Sequence, residues 1–178
     1  MKSFIEELYY GNIDSQNSSF EDDERVQRTM QTIRENEDFL ADTLSGEEKN
    51  ALTAKMREVS EATREDFIAR DAENVDRSPM IVLFGTRNMP YGVNCGYCGK
   101  ESCAAAAEDG TMCFFASHDL GLAVGSAVSV AADARVDNRV MYSAGIAAVL
   151  LGLFEGDVKA AVGVPLSVSE KSLYFDRG

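Results

Sequence analysis

The chain has 178 residues, which is enough for one well-buried domain with a small appendage, and its formal net charge is −13. This acidic balance argues against nucleic acid as the main partner, because phosphate binding requires a basic surface. The N-terminus has acidic residues where a signal peptide would be apolar, and the longest mainly apolar window, residues 141–154, is shorter than the roughly 20 residues of a membrane span. We therefore expect a cytoplasmic protein with no membrane partner.

The first 45 residues predict helices. Residues 1–10 form a short amphipathic pattern, and Ser18 with Glu21 has the spacing of a capping box that opens a second helix, residues 20–44. The apolar positions of this second helix are Val26, Met30, Ile33, Leu40 and Leu44. They form a stripe that packs either on the rest of the chain or against the same helix in a homodimer.

The remaining residues predict alternating helices and strands. A capping box at Ser45 and Glu48 opens a helix that fades near Thr63, and a polar connector follows up to Pro79. Continuous apolar runs predict buried strands at residues 80–85 and 158–166, and helices begin at Ser117 and near residue 140. We predict an α/β fold, a small sheet covered by helices, with a helical N-terminal segment (1–45) and a main domain (46–178).

Two strands make a poor sheet, so the prediction requires at least one more. The candidates are the segment "VNC" at residues 93–95, the C-terminal tail, or a strand from a partner chain.

All four cysteines lie within residues 94–113, in the pattern C-x2-C-x4-C-x9-C. They are Cys95, Cys98, Cys103 and Cys113. Four thiolates can hold an iron–sulfur cluster or a zinc ion, whereas disulfides are disfavoured in a cytoplasmic protein.

The spacing favours a [4Fe–4S] cluster. Zinc sites usually combine two C-x2–4-C pairs, and the plant-type [2Fe–2S] order places x4 before x2. Gly96 and Gly99 each follow a cysteine, where a positive φ lets backbone amides point at an anion. Zinc remains the main alternative, followed by [2Fe–2S] and thiol redox chemistry.

Few other side chains suggest a site. His118 is either a proton donor or ligand beside the metal or, more simply, a residue near a helix N-terminus that hydrogen-bonds locally. Arg87, Arg135 and Arg139 are candidates for contacting an anionic cofactor, although the ordinary role of "DARVDNR" (133–139) is an interhelix turn capped by Asp137 or Asn138. No phosphate-binding loop or hydrolytic triad can be assembled, so whether the chain is an enzyme stays open.

Several segments resemble known families. "NCGYCGKESC" resembles the iron–sulfur domains of anaerobic corrinoid proteins and of Rnf-type electron-transfer subunits. Together with "RDAENVDRSP", "DLGLAVGSAVSVAADARVDNRVMYSAGIAAVLLGL" and "VPLSVSEKSLYFDR", it is more similar to an uncharacterised prokaryotic family of ferredoxin-domain-containing proteins, over roughly residues 46–177. "FIEELYYGNID" resembles a second small family of helical proteins, which places the join near "LSGEEK".

The resemblance implies a [4Fe–4S] cluster on the four cysteines and a role in electron transfer or redox sensing, with an unidentified redox partner protein. A fainter similarity to flavin-dependent nitroreductases, at the level of helix order, implies FMN as a further candidate cofactor.

Overall fold

The computed structural model describes residues 39–169 and 172–175. The helices predicted for residues 1–10 and 20–38 lie outside this part of the chain. The described elements are β1 (Phe39–Leu44), α1 (Gly46–Thr63), α2 (Asp66–Arg77), β2 (Met80–Arg87), α3 (Cys103–Glu108), α4 (Phe114–Asp133), β3 (Asp137–Asn138), α5 (Tyr142–Leu151) and β4 (Val158–Ser167). They form an α/β fold, as predicted.

The sheet of the described residues has four antiparallel strands in the order β1-β2-β4-β3. The two predicted buried strands, β2 and β4, are its central pair, with Leu83 opposite Gly163. The missing strands come from β1 and from the short β3, and not from "VNC" or the described part of the tail.

The helix predicted for residues 20–44 is therefore wrong over its last six residues, which form β1. Positions 40 and 44 are four residues apart, a spacing that fits a helical stripe and also one face of a strand. Pairing with β2 along the whole of β1, from Phe39 opposite Thr86 to Leu44 opposite Ile81, decides between the two. Leu44 is buried at the end of this strand.

The first face of the sheet is covered by α1 and α5, and α2 packs against these two helices. Its core contains Leu52, Met56, Ile81, Leu83, Ala144, Ala147 and Ala148. Helix α5 carries no charged residue and packs so closely on β4 that a Cβ on Gly145 would stand 1.9 Å from the carbonyl oxygen of Ala161. One face of α5 is buried in this core, while Tyr142, Ile146 and Leu150 on its other side are 55%, 40% and 62% exposed.

Helix α2 forms where a polar connector between Thr63 and Pro79 was predicted. Its buried residues Ile68, Ala72 and Val75 follow the i, i+4, i+7 spacing of one helical face. The other faces are crowded with charge, which hid the helix in the sequence. Lys49 of α1 fastens its C-terminal end by donating hydrogen bonds to the carbonyl oxygens of Val75 (3.2 Å), Asp76 (2.9 Å) and Ser78 (2.7 Å).

Helix α4 lies across the second face, against β2, β3 and β4. Leu120 and Val124 pack there on Phe84 and Val164. By length and composition alone α4 could cross a membrane, but here it is a helix of the packed domain. It begins at Phe114 and not at the predicted Ser117.

The turn between α4 and α5 also differs from the prediction. Asp137 and Asn138 do not cap α5. They form β3 and pair with Ser167 and Leu166, and the N-cap of α5 is Met141.

The described part of the tail returns to the domain through Tyr174, which is 2% exposed. Its hydroxyl shares a 2.8 Å hydrogen bond with Ser78 Oγ, and its carbonyl accepts one from Arg139 Nη1 at 3.0 Å. Burial raises the pKa of Tyr174 to about 12, with Asp137 adding to the shift and the Ser78 hydrogen bond opposing it.

Candidate metal centre

The loop between β2 and α4 carries the four cysteines, and all four line one pocket. The pocket has a volume of about 340 Å³, including the part that opens to solvent. Cys113 is buried, Cys98 and Cys103 are half-buried, and Cys95 is exposed; all four are free thiols. The fold therefore gathers the predicted ligand set at one place, at the end of the sheet where β2 leaves it.

The first pair, Cys95 and Cys98, lies on a tight turn. Gly99 N–H donates to the carbonyl of Gly96 at 2.9 Å, and φ is 73° at Gly96 and 78° at Gly99. These angles fall in the left-handed region that glycine adopts without strain. The positive φ predicted at both glycines is confirmed, and it lets the chain fold back between the two thiols.

Cys103 is the first residue of α3 and is held by Asn94. The backbone N–H of Asn94 donates to Cys103 Sγ at 3.3 Å, and Cys103 N–H donates to Asn94 Oδ1 at 2.8 Å. Asn94 has φ 48°, a conformation that asparagine tolerates better than most residues. The reciprocal contact fixes Cys103 against the strand-side arm of the loop.

Cys113 is the N-cap residue of α4. Burial raises the pKa of its thiol, but amide N–H groups of Ala116, Tyr91 and Phe115 donate to the sulfur, and the net pKa lies below the usual value for cysteine. Asp119 opposes this lowering. A thiolate at a helix N-terminus is favoured in this way by orphan amides and by the helix dipole.

Asn88 holds the backbone of this last cysteine. Its Oδ1 accepts from Cys113 N–H at 3.1 Å, while its Nδ2 donates to the carbonyls of Gly110 and Thr111, both at 3.1 Å. Neither Asn88 nor Asn94 was predicted from the sequence. The available signal was two asparagines flanking "MPYGV" immediately before the first cysteine, since asparagine binds loop backbone.

An ion pair joins the two arms of the loop. Lys100, between the second and third cysteines, pairs with Asp109, between the third and fourth. The Lys100 and Thr111 side chains and the Thr111 amide lower the pKa of Asp109 to about 2. Gly110, with φ 70°, follows the end of α3.

Aromatic rings surround the pocket mouth. Tyr97 meets Phe114 edge-on with centroids 5.3 Å apart, and Tyr91 stacks on Phe115 at 6.3 Å. His118 stacks on Phe114 at 6.0 Å, and its Nδ1 lies 3.5 Å from Asp119 Oδ1. This local pairing of an exposed residue near a helix start agrees with the simpler interpretation of His118.

The three arginines are not among the residues that line the pocket. Arg87 ends β2 beside Gly156, Arg135 is exposed after α4, and Arg139 binds the tail through Tyr174 O and lies over the Phe175 ring at 5.7 Å. The structure does not bring them together with the cysteines.

Within residues 39–169 and 172–175, no three Cys, His, Asp or Glu side chains are close enough together to bind a single metal ion. A tetrahedral zinc with Zn–S bonds of about 2.3 Å requires its thiolates about 3.8 Å apart. A cluster binds each thiolate to a different iron and so accepts a wider spacing. All four free thiols line one pocket, and backbone amides donate to two of the sulfurs.

Comparison with known proteins gives the ferredoxin-domain family that the sequence resembles. The family model described as "Uncharacterized protein containing a ferredoxin domain" matches residues 109–177, and a model of a family of unknown function matches residues 1–69. An uncharacterised protein of Archaeoglobus fulgidus is 46% identical over 143 residues, which cover 75% of this chain and 76% of the relative. This chain belongs to the family of ferredoxin-domain-containing proteins.

No solved structure matches the chain. The ferredoxin-domain match begins after the first three cysteines and includes only Cys113, and the match of the other family extends past residue 45 through β1 and α1. The fusion of two families expected from the sequence is thereby confirmed. In the structure, the two matched regions share one core, because Leu52 and Met56 belong to the same cluster as Ala144 and Ala147.

Proposed function

We propose that this protein carries one [4Fe–4S] cluster on Cys95, Cys98, Cys103 and Cys113 and works in electron transfer or redox sensing in the cytoplasm. The observation that carries the proposal is the convergence of all four free thiols on one pocket. The description of the family as containing a ferredoxin domain supports it. When bound, such a cluster accepts and releases single electrons.

The chain's own residues supply the setting of the cluster. Asn94 and Asn88 fix the backbone of Cys103 and Cys113, and Gly96 and Gly99 let the first pair turn inward. Amides that donate to Sγ stabilise thiolate charge, and such hydrogen bonds are one means by which proteins set a cluster's reduction potential.

Metal and sulfide analysis tests the proposal. Protein purified without oxygen is expected to be brown and to contain about four irons and four acid-labile sulfides per chain. Electron paramagnetic resonance of the dithionite-reduced protein is expected to show the signal of a reduced cluster. A colourless protein with one zinc per chain would contradict the proposal and indicate a structural zinc site.

Cys98→Ser is expected to abolish stable cluster binding, because it removes one of the four thiolates. Glu101→Gln is the matched control, since Glu101 is exposed in the same loop and does not line the pocket. Full iron content in Cys98→Ser, or equal loss in both variants, would contradict the assignment of Cys98 as a ligand.

A further inference from the structure

Four apolar and aromatic side chains form an exposed surface at the pocket, which we call the loop patch. They are Tyr91, Val93, Tyr97 and Phe114, and they are 47%, 61%, 69% and 41% exposed. Tyr91, Val93 and Phe114 line the pocket, and the Tyr97 ring meets Phe114 edge-on. An exposed apolar group rimmed by polar residues is a common mark of a surface that binds another protein.

The loop patch lies beside the thiol that reaches the surface. Val93 and Tyr97 stand two positions before and two positions after Cys95, which is the exposed cysteine of the four. Phe114 directly follows Cys113. Electron transfer becomes much slower as the donor and the acceptor move apart. A redox protein that docks on the loop patch would therefore approach the predicted metal site from its most accessible side.

Negative charge flanks the loop patch. Glu101 is exposed and follows Lys100, which lines the pocket. Asp119 accepts a 2.7 Å hydrogen bond from the Tyr91 hydroxyl, which holds this carboxylate beside the patch. The Lys100 ammonium is paired with Asp109 and so does not offset these two charges. A partner that carries lysines or arginines around an apolar surface of its own would complement both features.

The size of the loop patch indicates a transient contact. Permanent subunit interfaces bury about 2,000 Å² or more, whereas electron-transfer complexes bury less than about 1,200 Å². Four partly exposed side chains with a charged rim match the smaller class. In such complexes charge raises the rate of encounter, and the apolar contact holds the partners briefly.

We propose that the loop patch is the docking surface for a basic redox protein that exchanges one electron with the metal site. The apolar side chains form the centre of the contact, and Glu101 and Asp119 attract the partner's cations. One electron leaves the reduced metal site and reduces the oxidised centre of the partner, and no covalent bond forms or breaks. The electron exchange rests on the proposed function, whereas binding to the patch does not require the metal.

Calorimetric titration of the full chain at low salt, with a basic cytochrome c as the probe, tests the binding. Val93→Ser/Tyr97→Ser is expected to weaken binding about tenfold, because it removes apolar contact from the centre of the surface. Tyr142→Ser/Leu150→Ser is the matched control, since these residues are 55% and 62% exposed on α5, no residue of which lines the pocket. This control should bind like the wild type.

The variants in this comparison keep the net charge of −13, which by itself attracts a basic protein to the whole chain. The role of charge beside the patch needs a second pair. Glu101→Lys is expected to weaken binding about fivefold more than Glu61→Lys, which changes the net charge equally but lies exposed on α1. Acetylation of the lysines of the cytochrome removes their charge and should weaken its binding to the wild type at least about tenfold.

Stopped-flow absorbance then measures electron exchange. The protein is reduced with dithionite, freed of excess reductant and mixed with the oxidised cytochrome, and rates are compared per iron and at the measured midpoint potential of each variant. The second-order rate constant should fall about tenfold in Val93→Ser/Tyr97→Ser and stay unchanged in Tyr142→Ser/Leu150→Ser.

Equal binding by these two double variants overturns the docking proposal, whether or not the protein contains iron. Equal effects of Glu101→Lys and Glu61→Lys would remove the role of Glu101 in attracting the partner. A protein without iron in which only Val93→Ser/Tyr97→Ser loses binding would remove the proposed function and leave the docking surface standing.

Discussion

Asn94 and Cys103 exchange two hydrogen bonds, one from the Asn94 amide to Sγ and one from the Cys103 amide to Oδ1. Asn94 thereby fixes the backbone of Cys103, one predicted ligand. Asn94 is also the residue immediately before Cys95, another predicted ligand. The positive φ of Asn94 and its side-chain oxygen make separate contributions, which two substitutions can distinguish.

Asn94→Gly keeps the backbone conformation accessible but removes the acceptor, so the Cys103 amide loses a partner worth about 1 kcal/mol. Asn94→Asp keeps an acceptor at the same distance. We expect faster loss of iron to a chelator in Asn94→Gly and near wild-type retention in Asn94→Asp, measured by the decay of visible absorbance. Equal retention in both variants would show that the side chain does not support the site.

Gly145→Ala is expected to destabilise the domain. The added Cβ would stand 1.9 Å from Ala161 O, so α5 must move off β4, at a cost of about 1–3 kcal/mol or more. Gly121→Ala in α4 is the control, because a Cβ there meets nothing within 4 Å and should gain up to about 1 kcal/mol of helix propensity. Urea denaturation compares the two; a stable Gly145→Ala variant would contradict the close packing.

Deletion of residues 1–38 and deletion of residues 1–45 should have different results. The longer deletion removes β1, which leaves one edge of the apolar strand β2 unpaired and removes the buried Leu44, worth about 1.5–3 kcal/mol. We expect aggregation of the longer deletion and a folded, cooperatively melting protein for the shorter one, judged by gel filtration and circular dichroism. Soluble, folded protein from both would show that β1 is dispensable.

Tyr174 is expected to make the stability of the domain depend on pH in the alkaline range. The pKa of Tyr174 is about 12 in the folded protein against an ordinary value of 10.0. The contribution of protonated Tyr174 to the free energy of unfolding is therefore complete below pH 10. It falls by about 2–3 kcal/mol as the pH rises from about 10 to 12. Urea denaturation of wild type and Tyr174→Phe across this range should show a steeper decline for the wild type. Parallel curves would mean that Tyr174 is accessible to water in the folded protein.

Much of the fold could be predicted because its strongest patterns are local. Apolar runs predicted β2 and β4, and the uncharged segment that forms α5 predicted a helix, which is buried along one face. Helix α2 was not predicted because the charged residues on its other faces outnumber its three buried apolar side chains. The strand β1 was not predicted because the spacing of its apolar residues fits both a helix and a strand. Only its pairing with β2 distinguishes the two structures.

At the site, the ligand candidates were predicted from spacing, and all four of them line one pocket. The supports at Asn88 and Asn94 depend on hydrogen bonds between residues 9 and 25 positions apart, which no local pattern specifies. The same limit applies to the arginines, because charge in a sequence does not say which partner each residue finds in space.

The position of β4 between β2 and β3 has a consequence for synthesis of the chain. Met80 pairs with Leu166 and Arg87 with Val158, so β2 has only β1 as a neighbour until the ribosome has translated almost the entire domain. Until then the strand that carries the cysteine loop has an open edge, and α5 has no strand to pack on. The four thiols lie on the loop that follows β2, so we expect the pocket that they line to form only after residues 158–167 have been added to the chain.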